Sequence, residues 1–177
     1  MKEKRFLFSG FGGQGILFAG KFAAYKGLME GKNVSWLPSY GPEMRGGTAS
    51  CGVIVSDDAV GSPIVSNPNI LIAMNLPSLD KYEGSVVSGG YIFADSTLIE
   101  RKVERDDVNV VYIPATRLAK ENGIPTLANM IIIGKIMKEL GEYDEAALTE
   151  ALKKVISAKR ADMLEINLNA MRLGAEY

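Results

Sequence analysis

Gly10-Phe11-Gly12-Gly13-Gln14-Gly15 is the stretch whose reading decides the fold. It follows the apolar run Phe6-Leu7-Phe8 and leads into a periodic segment beginning at Ile16, so it reads as a strand end, a tight turn and a helix N-terminus. Glycines accept positive φ and let a backbone or an anion come close, while the unpaired N–H groups of a helix's first turn face whatever sits there. Gly10, Gly12 and Gly15 satisfy G-x-G-x-x-G, a weak signal alone that gains force from lying between strand and helix; Gly13 and Gln14 complete the turn. Two roles stay open at this level. The turn cradles an anion, or its glycines serve only a tight turn and close helix–sheet contact.

Outward from the turn, a helix is expected from Gln14 to Leu28. Its inner face, Ile16, Gly20, Ala23, Ala24, Gly27 and Leu28, is rich in small residues and suited to lying close on a sheet. Gly31 is placed to end it. Asn33 to Leu37 reads as a second strand stopped by Pro38. A dinucleotide site would need an Asp or Glu at the end of that strand to hold the ribose, and none is there; the first acid is Glu43.

Ser39-Tyr40-Gly41-Pro42-Glu43-Met44-Arg45-Gly46-Gly47-Thr48 is the second informative stretch. Its glycines and proline forbid a regular element, yet Ser39, Tyr40, Glu43, Arg45 and Thr48 give it more hydrogen-bonding capacity than a connector needs. In a parallel sheet this loop shares a rim with the glycine turn. A planar guanidinium between glycines can reach a carboxylate, a phosphate or a partner's backbone, which favours function over a weak Glu43–Arg45 surface pair.

The remaining chain alternates strands and helices, as in an α/β domain. Ala49 to Val55 is an expected strand, turning at Asp57-Asp58 and Gly61 into Pro63-Ile64-Val65 as an antiparallel hairpin edge. Ile70 to Met74 reads as a strand covered on both faces, closed by Asn75. A helix (Pro77 to Tyr82), strands (Gly90 to Ala94 and Val108 to Ile113) and a helix (Ala115 to Glu121) follow, with Asp95 standing as a cap or a site residue. The segment from Thr126 to Met137 is apolar around much of a helix, which calls for burial in the core or at a subunit interface, a homo-oligomer of the isolated chain included. Amphipathic helices are expected from Asp144 to Ile156 and from Arg160 to Leu173, the latter ahead of Gly174.

At 177 residues and 47% hydrophobic, the chain can bury one core, so a single domain over 1–177 is expected. A net charge of -1 gives no field for nucleic acid or an anionic membrane. No apolar segment reaches membrane-span length, and the lone Cys51 suits a reducing compartment, so a cytoplasmic location is expected. Cys51 reads as a packed small hydrophobe, because the chain has no histidine to activate it and one thiol holds no metal. No metal site is expected.

Taken together, the glycine turn, the Ser39–Gly47 loop, Ser62-Pro63 and the strand ending at Asn75 resemble the gamma subunit of 2-oxoacid:ferredoxin oxidoreductases, which act on pyruvate, 2-oxoglutarate, branched-chain oxoacids or indolepyruvate. The resemblance implies a Rossmann-like, mostly parallel sheet flanked by helices. It also implies a complex in which alpha and beta subunits carry thiamine diphosphate and iron–sulfur clusters, with a ferredoxin-like subunit or ferredoxin as electron partner. This chain alone is expected to bind neither cofactor, having no Gly-Asp-Gly and a single cysteine. Coenzyme A is the implied co-substrate, its pyrophosphate suited to the glycine turn. Arg45 is then expected at the active-site mouth. Gly10, Gly12, Gly13, Gln14, Gly15, Ser39, Tyr40, Gly41, Glu43, Gly46 and Gly47 are the expected cofactor-binding residues, with Tyr40 and Glu43 fixing the loop. The form of the loop leans towards 2-oxoglutarate or branched-chain oxoacids over indolepyruvate. Two rivals remain: a free-standing NAD- or FAD-binding oxidoreductase, and a purely structural scaffold whose Arg-Gly-Gly loop touches only protein.

Overall fold

The computed structural model describes residues 2–39 and 48–177. Six strands, β1 (Glu3–Phe11), β2 (Asn33–Ser39), β3 (Thr48–Ser56), β4 (Ile70–Ala73), β5 (Tyr91–Asp95) and β6 (Asn109–Ile113), form one sheet in the order β2-β3-β1-β4-β5-β6. β1, β4, β5 and β6 run parallel, whereas β3 is antiparallel to both β1 and β2. The described helices are α1 (Ile16–Met29), α2 (Leu76–Tyr82), α3 (Ala115–Glu121), α4 (Ala128–Glu139), α5 (Glu145–Val155) and α6 (Met163–Glu176), with short 3-10 turns after α2 and α5.

Side chains alternate across the sheet and so divide the core in two. Phe6, Phe8, Cys51, Val53, Ile70, Ile72 and Phe93 join α1, α4 and α6 in the larger cluster. Leu7, Leu71, Ala73, Ile92 and Ala94 face the other way, onto Leu79 of α2 and Ile99. β4 is buried along its whole length, as its unbroken apolar run requires of a strand covered on both faces.

The antiparallel part of the sheet is not the expected hairpin. Residues 63–65 form no strand, and the antiparallel pairing belongs to β2, β3 and β1. Both edges of β3 are taken by those two neighbours, so no ladder positions remain for Pro63-Ile64-Val65. Pro38 does not stop the second strand either. It pairs with Cys51 inside β2, which is a sheet-edge strand, where a missing N–H need not cost a ladder bond.

Missing side chains set the helix packing. A Cβ on Gly20 would lie 2.4 Å from the Cys51 Sγ, and one on Gly27 would lie 2.8 Å from a Val55 methyl, so α1 rests on β3 at two glycines. The apolar helix α4 is buried in this chain's own core, with Met130, Ile131, Ile133 and Ile136 fully covered. Gly174, expected beyond the last helix, lies inside α6, where a Cβ would sit 1.8 Å from the Ile131 carbonyl oxygen; a Cβ on Gly134 would sit 1.9 Å from that of Met171. The two helices therefore cross backbone to backbone.

That crossing decides the sign of a mutation. By helix propensity alone Gly→Ala would gain about 1 kcal/mol. Here Gly134→Ala and Gly174→Ala are each expected to lose about 1–3 kcal/mol or more through overpacking. Urea unfolding followed by circular dichroism checks it, and a midpoint at or above wild type would refute the close crossing.

Candidate functional site

The carboxyl ends of β1, β4, β5 and β6 share one rim, because these strands are parallel. At β1 the chain turns into α1, which packs on one face, while β4 leads into α2 on the other. The crevice between β1 and β4 is thus the point where the connections diverge, the usual place for a ligand in an open α/β sheet. The glycine turn stands at this crevice.

The turn closes through the Gln14 N–H donating to the Phe11 carbonyl at 3.2 Å. Gly13 and Gly15 adopt φ 94° and 74°, left-handed conformations that favour glycine. Gly10 serves space instead: a Cβ there would lie 2.5 Å from Gln14 Oε1 and 2.8 Å from Ile16 Cδ1. Gln14 folds back over the turn, its Oε1 accepting from the Phe11 N–H at 2.6 Å and its Nε2 donating to the Met74 carbonyl at 3.0 Å. Its amide braces the turn to the end of β4, so the described contacts make Gln14 a brace.

Asn129, in the first turn of α4, is a brace that no motif in the sequence marks. Its Nδ2 donates to the Gly15 carbonyl at 3.1 Å across 114 residues of chain. A Cβ on Gly15 would sit 2.4 Å from that nitrogen. Only an N-terminal asparagine on an apolar helix could have hinted at it.

Gln14 is engaged at both ends of its amide and Asn129 through its Nδ2, its Oδ1 being buried without a hydrogen bond, so the donors that the turn offers are backbone N–H groups. Gly15 caps α1 with no side-chain hydrogen bond and the first turn holds no acid. The first intrahelical bond runs from Ala19 N–H to the Gly15 carbonyl, so the amides of residues 16–18 have no partner within the helix. Such donors, at the positive end of a helix dipole, suit a phosphate or carboxylate.

Ser39, at the end of β2, aligns with Ser50 of β3, which aligns with Ser9 of β1. β2 therefore ends on the same rim as the glycine turn, one strand further out. Tyr40, Gly41, Glu43, Arg45, Gly46 and Gly47 lie outside the described residues. The intervening β3 is antiparallel and meets the rim with its amino end, so no neighbouring parallel strand on that side could present a ribose-binding acid.

Two other polar side chains at the rim cap the chain, although the buried Asn75 Nδ2 has no hydrogen-bond partner among the described residues. Asn75 Oδ1 caps α2 by accepting from the Ser78 N–H at 2.9 Å. The buried Asp95 is a cap: its carboxylate accepts from the Thr97 and Thr116 N–H groups at 3.0 and 3.1 Å and from the Thr116 hydroxyl. Cys51 is fully buried against α1, and burial pushes its thiol up to about 12. It fits neither a nucleophile nor a cluster ligand, both of which need the thiolate.

Fold and rim together define an α/β domain with a glycine turn at the switch point of a mixed sheet. Residues 5–177 match the pyruvate ferredoxin/flavodoxin oxidoreductase family, and the chain belongs to it. It is 39% identical to the ketoisovalerate oxidoreductase subunit VorA of Methanothermobacter marburgensis, over 99% of this chain and 37% of that protein. It is 33% identical to the 2-oxoglutarate synthase subunit KorC of the same organism, over 98% of this chain and 96% of that one. The chain thus spans little more than a third of the VorA relative and nearly all of the KorC relative. The gamma subunit of a keto/oxoacid ferredoxin oxidoreductase from Geobacter sulfurreducens has the same fold, with TM-score 0.81, 27% identity and coverage of 98% of this chain and 96% of that one. Among the described residues no helix is long and apolar enough to cross a membrane.

Two outcomes test this site. Gln14→Ala strips the partner from the carbonyl of buried Met74 and from the Phe11 N–H, and is expected to lower stability by about 1–3 kcal/mol in urea unfolding. A stability loss within error would show that the brace carries nothing. For Cys51, iodoacetamide at pH 8 is expected to label the thiol only after denaturant is added. Because the thiol's folded pKa is raised from 9.0 to about 12, the unfolded chain gives up this proton first; its contribution to stability is full below about pH 9 and is lost as pH rises towards 12. Native labelling at the denatured rate would refute the packing.

Proposed function

We propose that this chain is a gamma-type subunit of a multi-subunit 2-oxoacid:ferredoxin oxidoreductase, which takes a 2-oxoacid, CoA and oxidised ferredoxin to acyl-CoA, carbon dioxide and reduced ferredoxin. The observation that carries it is the family match over residues 5–177, together with a glycine turn whose free amides open at the switch point of the sheet. The 39% identical relative is a ketoisovalerate oxidoreductase subunit and the 33% identical one a 2-oxoglutarate synthase subunit, which supports a branched-chain oxoacid or 2-oxoglutarate as substrate.

In this reading thiamine diphosphate and the iron–sulfur clusters sit on alpha, beta and ferredoxin-like partners in the cytoplasm, and electrons leave to ferredoxin. The single, buried thiol of Cys51 cannot supply the thiolates of an iron–sulfur cluster, and the sequence has no Gly-Asp-Gly of the kind that opens a thiamine diphosphate motif. Decarboxylation is therefore the work of the partners, and this chain's residues bind and position. The amides of residues 16–18 receive the CoA pyrophosphate, with Gly10, Gly12, Gly13 and Gly15 keeping side chains out of its way. Gln14 and Asn129 hold those amides in place. Arg45 brings a cation to the shared mouth from the loop that leaves the same rim, with Ser39, Tyr40, Glu43 and the glycines Gly41, Gly46 and Gly47 shaping that loop. A free-standing NAD or FAD enzyme fits less well, because an antiparallel strand lies where a dinucleotide fold places its ribose-binding strand.

Arg45→Ala in the reconstituted complex tests the assignment. A desolvated ion contact should cost about 2–5 kcal/mol, tens-fold or more in rate or apparent affinity, whereas a surface pair with Glu43 would cost under about 1 kcal/mol and alter no kinetic constant. The expected outcome is a raised CoA requirement or lowered turnover in a complex whose subunits still co-purify. Unchanged steady-state kinetics with oxoacid and CoA varied separately would refute it, and failure to assemble would make Arg45 an interface residue.

A further inference from the structure

The two ends of the parallel strands differ in charge. At the carboxyl end the chain leaves β1, β4, β5 and β6 through residues 11–16, 74–78, 96–99 and 114–116, and residues 126–129 join them where Asn129 of α4 meets Gly15. These segments contain no Asp, Glu, Lys or Arg, although such residues make up 23% of the chain. The amino end carries charge instead, with the ion pairs Lys4–Glu142, Lys32–Asp57 and Arg105–Asp107.

Burial does not account for the difference. Phe11 and Leu98 are 40% and 39% exposed, and Pro77, Ser96 and Thr97 are exposed at the same exits. The exits of β1 and β5 are two strand positions apart, about 10 Å, and the row from β1 to β6 spans about 15 Å. Charges resume at the margin, with Glu100 next in the chain and Arg117, whose backbone N–H donates to the Thr97 hydroxyl at 3.1 Å. Charged side chains are the usual covering of a free surface, whereas an uncharged, partly apolar centre inside a polar margin is the anatomy of a protein interface.

This surface adjoins the amides of residues 16–18, and it is wider than one anion covers. On the reading above, a ligand held by those amides has to reach a cofactor on another subunit, so that subunit must approach over this end of the sheet. Resting on that reading, we infer that the exits of β1, β4, β5 and β6, centred on Phe11, Pro77, Ser96 and Leu98, are the contact surface for the subunit that carries thiamine diphosphate. The facing surface of that subunit is uncharged and apolar, because a charge opposite Phe11 or Leu98 would be desolvated with no partner.

Charges of either sign placed at this surface test the assignment. Leu98→Glu and Ser96→Lys are each expected to weaken binding of the full chain to the thiamine-diphosphate subunit by at least about ten-fold in sedimentation or titration calorimetry. Leu98→Ser should weaken it less than Leu98→Glu. Leu28→Glu is the control: Leu28 is 53% exposed near the far end of α1, and the variant should bind as wild type does. Circular dichroism melting confirms that each variant folds. Wild-type affinity in both Leu98→Glu and Ser96→Lys would overturn the inference and leave the functional reading standing, as would equal weakening by Leu28→Glu. A chain that sediments alone as a dimer dissociated by Leu98→Glu would also overturn it, by giving the surface to a second copy. A wild-type chain that binds no thiamine-diphosphate subunit would overturn the functional reading, and this inference with it.

Discussion

The rest of the structure depends on how closely α1 can approach β3. Gly20 meets the Cys51 thiol and Gly27 meets the Val55 methyls, so at those two points the helix backbone rests directly on side chains of β3 with none of its own between. An alanine at either position would have to push α1 outward or displace the strand. This contact fixes the line of the helix, and with it the place where its N-terminus emerges at the carboxyl end of β1. The tight turn follows: a strand and a helix in such contact leave only a few residues to reverse the chain, and Gly13 and Gly15 do so with left-handed backbone.

A turn of this kind would be loose without support, and its support is polar. Gln14 ties it to β4 through the Met74 carbonyl, and Asn129 ties it to α4 through the Gly15 carbonyl. α4 in turn crosses α6 at Gly134 and Gly174, so the glycine turn is linked through one buried helix to the C-terminal helix. The donor groups of both side chains are thereby committed to holding it. What remains for a ligand is backbone N–H, which suits an anion and imposes little selectivity on the rest of the molecule that carries it.

The antiparallel β3 sets this domain apart from a dinucleotide-binding one. It places an amino end beside the glycine turn, where Thr48 pairs with Phe11, and moves β2 one position outward, so Ser39 at the end of β2 stands one strand further from the turn. It also explains why the end of β2 carries Ser39 and no acid: the position does not adjoin a ribose site.

By itself the sequence determined the order of strands and helices except for the expected strand at Pro63-Ile64-Val65, together with the turn at Gly10–Gly15, the burial of Ile70 to Met74 and the packed character of Cys51. Each is a local matter of periodicity, glycine conformation or the lack of an activating partner. The tertiary structure alone decided the pairing of β3 between β1 and β2, because strand order depends on which edges are free and not on the residues of one strand. It decided that Gln14 and Asn129 act as braces, since contacts across 60 and 114 residues leave no mark on local spacing. It also placed Pro38 inside an edge strand and Gly174 inside a helix. A residue's tolerance for proline or glycine is set by what lies opposite it, a solvent-facing edge in one case and another helix's backbone in the other.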